Sequence, residues 1–306
     1  MKIKKITLAW LAAVVCLAST ARAWDPIGHM IVCQTAYDNL TPAAKAKVDA
    51  SVAAFNAKNK TNYTFVTAGC WMDDVRPTHK EYSPWHYIEL PYTPEGTPLP
   101  DPSAINALWG FQLCTDILTG KKTYVGVDKD QALVMLSHLV GDIHQPLHTV
   151  SRPGDAGGNK VDVPNIKDAK VEVFPNWKNL HYFWDGSYRR TVKDGNVVEI
   201  YPEPAYPVEN PWNGHKKAEA IIREQSSALQ KGYLADKYPA TGTPEAWILE
   251  SHRTGYDEAY QKLPGGEASD PVTLDAVYVD NARVISEQKL IQAGKRLATL
   301  LNDIYR

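Results

Sequence analysis

The sequence predicts a single, mainly α-helical domain with a small β-hairpin, and three observations support this fold class. The chain has 306 residues, of which 44% are hydrophobic, so it can bury a sizeable core. Apolar residues recur at helical spacing, most clearly over residues 271–304. No internal repeat, low-complexity tract or long linker divides the chain, and we therefore expect one domain.

Proline and glycine signals separate the predicted elements. Thr41-Pro42 caps and opens the second helix. Residues 82–102 contain six prolines and predict extended or turn structure, and residues 189–212 form a polar, proline-rich segment. Glycines followed by alternating valines predict a turn and a short strand over residues 154–163. Helices are predicted at residues 28–40, 42–55, 65–74, 103–118, 129–144, 175–188, 213–233, 244–263 and 271–304.

Residues 1–23 predict a secretory signal peptide. Three lysines precede an apolar run at residues 8–17 that is short for a membrane span, and Ala21-Arg22-Ala23 fits a cleavage site. An uncleaved anchor is the alternative. Cleavage would leave a catalytic domain at residues 24–306 that begins with Trp24. We expect this mature protein to be secreted or periplasmic, monomeric and without stable membrane association.

The charge of the mature chain excludes one class of nucleic-acid binding. Loss of the signal lowers the basic residues from 33 to 29 against 35 acidic residues, a net charge of −6. No run of Lys or Arg forms a basic stripe, so a long groove for duplex nucleic acid is not expected. A polyanionic substrate would need local cations, and bound metal is the obvious source.

The mature chain contains Cys33, Cys70 and Cys114. In an oxidising compartment, one pair is expected to form a disulfide. We predict a Cys33–Cys70 disulfide, because Cys114 lies within an apolar predicted helix and is interpreted as a buried thiol.

Two His-x-x-x-Asp pairs predict a metal centre. His138 and Asp142 lie on one face of a predicted helix, and His181 and Asp185 repeat the spacing. His148 follows a proline that ends the first helix, so its side chain can return to the same region. One such pair alone is usually an ion pair, but two pairs and a further histidine in apolar surroundings suit zinc ligation.

The remaining histidines outside these pairs carry weaker signals. His144 is interpreted as a residue that supports the metal ligands. His79, His215 and His252 are interpreted as structural or solvated.

Five sequence blocks then resemble, in order, the S1/P1 nuclease family of zinc-dependent, single-strand-specific nucleases. They are residues 24–29, 71–76, 85–88, 138–148 and 179–185. The resemblance continues into the C-terminal helix and implies the helical fold shared by phospholipase C and P1 nuclease. It also implies three zinc ions: Asp73, His86, His138 and Asp142 for the first; Trp24 and His29, with Asp142 again, for the second; and His148, His181 and Asp185 for the third. Trp24 would bind through its freed amine and carbonyl oxygen, and an α-amine can ligate only once processing exposes it.

The resemblance also implies the reaction. Asp73 and Arg76 would be catalytic, with Arg76 neutralising charge on the phosphoryl oxygens. Single-stranded DNA and RNA would be cut to 5′-phosphate products, and 3′-nucleotides are further expected substrates. Tyr87 would stack on a base. Glu89 departs from the Asp or Asn common there, which puts base preference in doubt.

Two alternatives remain open on sequence alone. A zinc-dependent phospholipase C shares the N-terminal Trp ligand and the His-x-x-x-Asp helix. The short spacing from Trp24 to His29 and the aspartate at Asp185 favour the nuclease. A non-catalytic zinc-binding secreted protein would instead hold saturated zinc with no open coordination position.

Overall fold

The structure is a computed structural model that describes residues 24–94, 97–98, 100–166, 179–194, 196–200, 211–233, 240–265 and 271–306. The predicted signal peptide lies outside these residues. Within them, no helix has the length and apolar character needed to cross a membrane.

The predicted mainly helical fold is confirmed. The described part of the chain contains ten α-helices: α1 (Pro26–Asp38), α2 (Pro42–Asn59), α3 (Phe65–Ala68), α4 (Trp71–Val75), α5 (Ala107–Leu118), α6 (Lys129–Asp142), α7 (Leu180–Asp185), α8 (Pro211–Gly232), α9 (Pro244–Thr254) and α10 (Ala276–Ile304). Short 3₁₀ turns occupy Lys80–His86, Pro146–His148 and Ser187–Arg189, and a π-helical turn, Gly255–Tyr260, follows α9.

Side-chain caps fix where several helices begin. Thr41 Oγ1 accepts a hydrogen bond from the Ala44 N–H at 3.2 Å, as the Thr41-Pro42 signal predicts. Asn179 caps α7 through the Tyr182 N–H at 2.8 Å. Each cap satisfies an N–H that has no partner within the helix, which is worth about 1 kcal/mol. The α7 cap matters for function because it sets the register of His181 and Asp185.

The strands are short and pair in twos. β1 (Leu90–Pro91) lies parallel to β2 (Val150–Ser151), and β3 (Asn165–Ile166) lies parallel to β6 (Thr273–Leu274). The only hairpin among the described strands joins β4 (Arg190–Lys193) to β5 (Asn196–Glu199).

The prediction of a turn and a short strand over residues 154–163 is confirmed only for the turn. Residues 153–160 form turns, in which Ala156, Gly157 and Gly158 have φ values of 54°, 62° and 83°. Successive left-handed residues coil the backbone instead of extending it. The predicted strand is wrong, since Asp162 makes only an isolated bridge with Asn179 and β3 begins at Asn165. The hairpin lies instead in the polar, proline-rich segment that begins at residue 189, where no strand was predicted.

Other predicted element boundaries also change. The predicted helix at 65–74 divides into α3 and α4 at Gly69. A Cβ at Gly69 would lie 2.5 Å from Cys33 Sγ, so α1 approaches the backbone closely at this break. The predicted helix at 175–188 is represented by α7, and its residues 175–178 lie outside the described residues. The 3₁₀ turn Lys80–His86 replaces the start of a segment predicted as extended or turn structure.

α1 is the central helix of the fold. All of its residues from Pro26 to Ala36 are buried, and it packs against α3, α6, α8 and α10. At the crossing with α10, a Cβ on Gly294 would lie 2.4 Å from Thr35 Cβ, so the two helices approach closely. This packing places the start of α1 beside the end of α6, where the predicted ligands are concentrated.

The predicted Cys33–Cys70 disulfide is not formed in the structure. Cys33, Cys70 and Cys114 are free and buried, as was predicted for Cys114 alone. Cys70 Sγ donates to the Pro26 carbonyl oxygen at 3.4 Å. Cys33 lies against Gly69 and interacts with its backbone N–H, and burial raises the pKa of this thiol to about 12.

Candidate metal centre

Asp142, the last residue of α6, lies at the centre of a buried cluster. Its Oδ2 is 3.0 Å from His86 Nδ1 and 3.2 Å from His138 Nε2. Its Oδ1 is 3.5 Å from His29 Nε2. The two oxygens of one fully buried carboxylate thus face different histidines, which is the arrangement of a bridging ligand.

Two adjacent ligand groups share this cluster. His29, His138 and Asp142 offer ligand atoms that all lie within 4.8 Å of one another, and so do Asp73, His86 and His138. The rings of His29 and His138 stack with their centroids 3.8 Å apart. Because α1, α4, the 3₁₀ turn before His86 and α6 each contribute, the cluster forms only when these elements pack.

His148, His181 and Asp185 form a third group whose ligand atoms also lie within 4.8 Å of one another. His181 Nε2 is 3.7 Å from Asp185 Oδ1, one turn away on α7. The rings of His148 and His181 lie 5.0 Å apart. The proline turn after α6 therefore does return His148 to the predicted helical pair.

Backbone carbonyls orient three of the imidazoles. Since a carbonyl oxygen only accepts hydrogen bonds, each Nδ1 carries the proton, and Nε2 is the ring nitrogen that offers a lone pair as a candidate metal ligand. Such bonds fix both the tautomer and the ring direction of metal-binding histidines. They join His138 Nδ1 to Gly69 O at 2.7 Å, His148 Nδ1 to His86 O at 2.6 Å, and His181 Nδ1 to Gly157 O at 2.7 Å.

Gln145 is a supporting residue that the sequence interpretation missed. Its Nε2 donates to Asp185 Oδ1 at 2.5 Å, and its Oε1 accepts from the Leu147 N–H at 2.5 Å. The side chain thus joins the end of the α6 segment to the ligand on α7. Its position directly before Pro146 was the only signal in the sequence.

Unpaired buried atoms show that the residues fit a metal. Leaving a buried polar atom without a hydrogen bond costs about 1–3 kcal/mol, and native proteins leave few such atoms. Among the described residues, the buried side-chain atoms without a hydrogen-bond partner include His29 Nδ1 and Nε2, Asp73 Oδ1 and Oδ2, His86 Nε2, Asp142 Oδ1 and Asp185 Oδ2. Imidazole nitrogens and carboxylate oxygens are the donor set that zinc takes, so these residues fit zinc ions.

Burial and neighbouring charges set the protonation of the metal-free cluster. Burial, reinforced by His138, holds the pKa of His29 well below its ordinary value. Burial alone would lower the pKa of His138, but the Asp142 carboxylate outweighs it and raises this pKa to about 9. The same interaction lowers the pKa of Asp142. Burial raises the pKa of Asp185 well above its ordinary value, despite the hydrogen bond from Gln145. Since ligation requires deprotonated groups, a metal must displace these protons.

Trp24 is fixed beside the Asp142 cluster. Its side chain is fully buried, and Nε1 donates to the Gly141 carbonyl oxygen at 2.9 Å. A Cβ on Gly141 would lie 2.9 Å from His29 Nδ1 and 3.7 Å from Trp24 Cδ1. The first residue after the predicted cleavage site therefore shares its surroundings with His29 and Asp142.

The predicted catalytic and substrate-binding residues lie near one another. Arg76 follows α4, its NH1 is 3.9 Å from Asp73 Oδ1, and this buried nitrogen has no hydrogen-bond partner among the described residues. Tyr87 is half-buried directly after His86, and Glu89 is exposed. Burial and Glu89 raise the pKa of Tyr87, whereas Arg76 acts in the opposite direction.

The interpretation of His144 as a support for the metal ligands is wrong. Its Nδ1 donates to the Val140 carbonyl oxygen at 2.7 Å, and its Nε2 accepts from Arg296 at 2.9 Å. Position 144 lies beyond the last turn of α6, so its side chain turns toward α10. His215 and His252 have structural partners, namely the Asp74 carboxylate at 3.1 Å and the Pro91 carbonyl oxygen at 2.8 Å.

Comparisons with known proteins find plant and fungal nucleases that match nearly the whole chain. Endonuclease 2 of Arabidopsis thaliana is 27% identical over 300 residues, which cover 94% of this chain and 92% of the relative. Endonuclease 3 of the same plant is 26% identical and covers 97% and 95%. Nuclease S1 of Aspergillus oryzae is 28% identical over 309 residues and covers 96% of each chain.

The family assignment covers nearly the whole chain. A profile of the S1/P1 nuclease family matches residues 24–306, the range that was expected to remain after signal cleavage. This match favours a nuclease over the phospholipase C alternative, and a hydrolase over a non-catalytic zinc protein. The chain belongs to the S1/P1 nuclease family, whose members are generally zinc-dependent, and it is a hydrolase that acts on phosphodiester bonds.

Proposed function

We propose that the mature protein is a secreted or periplasmic endonuclease that uses three zinc ions to hydrolyse single-stranded DNA and RNA to 5′-phosphate products. It would also release phosphate from 3′-nucleotides. The observation that carries the proposal is the convergence of residues from positions 29 to 185 on three ligand groups. The nuclease names of its relatives support the substrate class.

The proposed ligand sets follow the three groups. Asp73, His86, His138 and Asp142 would hold one ion; Trp24, His29 and Asp142 its neighbour; and His148, His181 and Asp185 the third. Zinc bound there would activate water at neutral pH and polarise the phosphoryl oxygens. The protein's own contribution is to hold the imidazoles rigidly through Gly69, His86 and Gly157, as described above.

Arg76 would act on the substrate, not on the metal. Its side chain is only 12% exposed, and its buried NH1 has no hydrogen-bond partner among the described residues. A guanidinium placed this way can donate to a phosphoryl oxygen as negative charge builds there. The nearby Asp73 carboxylate would keep the side chain directed toward the cluster.

Single-strand preference would follow from access to the cluster. Asp142, His86 and His138 are at most 1% exposed, so a phosphate must enter a recess to reach them. A base-paired strand cannot do this without unstacking, whereas a free nucleotide can stack on a half-buried aromatic ring such as Tyr87. The exposed Glu89 carboxylate lies at the same edge and would discriminate among base edges.

Replacing Arg76 with methionine is expected to lower kcat on single-stranded DNA by about 10²–10³-fold, which is the usual cost of removing one donor to a developing oxyanion. Zinc content should stay unchanged, because Arg76 is not a ligand. Steady-state kinetics and elemental analysis measure the two effects. Arg253→Met, which breaks an exposed ion pair with Asp257, is the control and should leave kcat unchanged. An Arg76 variant with normal kcat would remove this residue from the mechanism.

Competing substrates test the proposed function itself. Purified mature protein should degrade single-stranded DNA and RNA much faster than duplex DNA, and should leave phosphatidylcholine intact. End-group analysis should find a phosphate at the 5′ end of the fragment downstream of each cut and a free 3′-hydroxyl on the upstream fragment. Hydrolysis of phosphatidylcholine without nuclease activity, or products that carry 3′-phosphates, would contradict the proposal.

A further inference from the structure

The residue after Trp24 has more partners than a helix cap requires. Asp25 caps α1 by accepting the Gly28 N–H at 3.1 Å. The same carboxylate also accepts hydrogen bonds from the Tyr188 hydroxyl and, at 2.6 Å, from Arg189. The cap explains only the first bond, so the other two call for a separate explanation.

These partners form a connected cluster, here called the Asp25 clamp, which consists of Asp25, Tyr188, Arg189 and Glu199. Arg189 is 4% exposed and joins Asp25 to Glu199 on β5, so the hairpin is tied to the start of the mature chain. The buried Arg189 guanidinium is thus paired on both sides, and removing one partner of a buried ion pair is strongly destabilising. The clamp is therefore a fixed structure and not a mobile surface ion pair.

The Asp25 clamp also contacts the metal centre on two sides. The Asp25 N–H donates to the Asp185 carbonyl oxygen at 3.1 Å, and Asp185 is a proposed ligand of the third ion. The Tyr188 ring packs edge-on against the Trp24 ring, with centroids 6.2 Å apart. Two contacts therefore hold the peptide that joins Trp24 to Asp25. Its N–H bonds to Asp185, and the Trp24 indole packs against Tyr188.

We propose that the Asp25 clamp is the receptor for the processed N-terminus and positions Trp24 so that its freed amine faces His29 and Asp142. This inference rests on the proposed function, in which that amine binds zinc. The residues of the clamp are positioning residues, because none of them contacts the reacting atoms. A terminal residue would otherwise fray, and a ligand that must first be ordered binds its metal more weakly.

The substitution Asp25→Asn tests the clamp while it keeps the helix cap. Asparagine caps helices as well as aspartate does, so α1 should be preserved, but the neutral amide loses the charge-assisted bond from Arg189. Glu287→Gln is a matched control, since Glu287 on α10 is also buried and accepts from an arginine and a tyrosine hydroxyl, Arg283 and Tyr233. Tyr188→Phe removes one hydroxyl and keeps the ring, which provides a second variant if Asp25→Asn does not fold.

The first measurement needs no metal. In zinc-free protein, acetic anhydride at neutral pH should modify the Trp24 amine of Asp25→Asn and Tyr188→Phe about tenfold faster than that of the wild type or Glu287→Gln, as judged by mass spectrometry of the N-terminal peptide. The second measurement is zinc affinity. The variants should bind one of the three ions about 10–100-fold more weakly, the usual effect of losing a group that orients a ligand.

The outcomes distinguish a failure of the clamp proposal from a failure of the proposed function. Equal acetylation rates in wild type, Asp25→Asn and Tyr188→Phe would overturn the clamp, even if the wild type binds three zinc ions and cuts DNA. Full zinc binding by a wild-type chain whose terminal amine is chemically blocked would instead overturn the proposed ligand role of Trp24. Faster acetylation and one weakened zinc site, found in both variants but not in the control, support the inference.

Discussion

Asp142→Asn is expected to lower kcat/KM on single-stranded DNA by about 10³-fold or more, because Asp142 is the carboxylate shared by two ligand groups. Its oxygens face His29 on one side and His86 and His138 on the other. An amide has one oxygen and no charge, so it cannot hold two cations together. Metal-ion stabilisation of the transition state is worth several kcal/mol, and each 1.36 kcal/mol corresponds to tenfold in rate.

Two further variants make this result interpretable. Asp185→Asn should be less damaging, since Asp185 serves one proposed ion and not two. Asp49→Asn changes an exposed carboxylate that accepts a hydrogen bond from the Tyr37 hydroxyl at the surface, and activity should be normal. If Asp142→Asn were no more impaired than Asp185→Asn, the bridging role would be wrong.

One extra residue before Trp24 is expected to reduce hydrolysis by about 10²-fold or more while the helices remain folded. Acylation turns the terminal amine into an amide, which does not ligate, and a lost ligand weakens binding of that ion. The expected effect is measured on a mature chain that begins Ala-Trp24, by nuclease assay and circular dichroism. The control carries the same alanine after Arg306, an exposed position at the far end of the chain. Normal hydrolysis by the chain that begins Ala-Trp24 would exclude an N-terminal ligand.

The sequence predicts well which helical side chains lie together, for a local reason. The spacing of His138 to Asp142 and of His181 to Asp185 fixes their shared helix face before any tertiary contact forms. Both pairs lie in ligand groups of the structure. The resemblance to a known family added His29, Asp73 and His86, which have no such local signal and come from separate elements.

The parts that were missed depend on tertiary contacts. The break at Gly69 arises because α1 passes close to this backbone, and the freed Gly69 carbonyl then orients His138. Gln145 gains its role only when α7 brings Asp185 within 2.5 Å. No periodicity or spacing encodes such contacts.

The most direct test of the central claim is the zinc content of the mature protein. We propose that residues from Trp24 to Asp185 form a three-ion centre that includes the terminal amine. Elemental analysis should therefore find three zinc ions per chain that begins with Trp24, and two per chain that begins Ala-Trp24 when zinc is limiting. A mature chain that holds one ion or none, or an identical content in both chains, would contradict it.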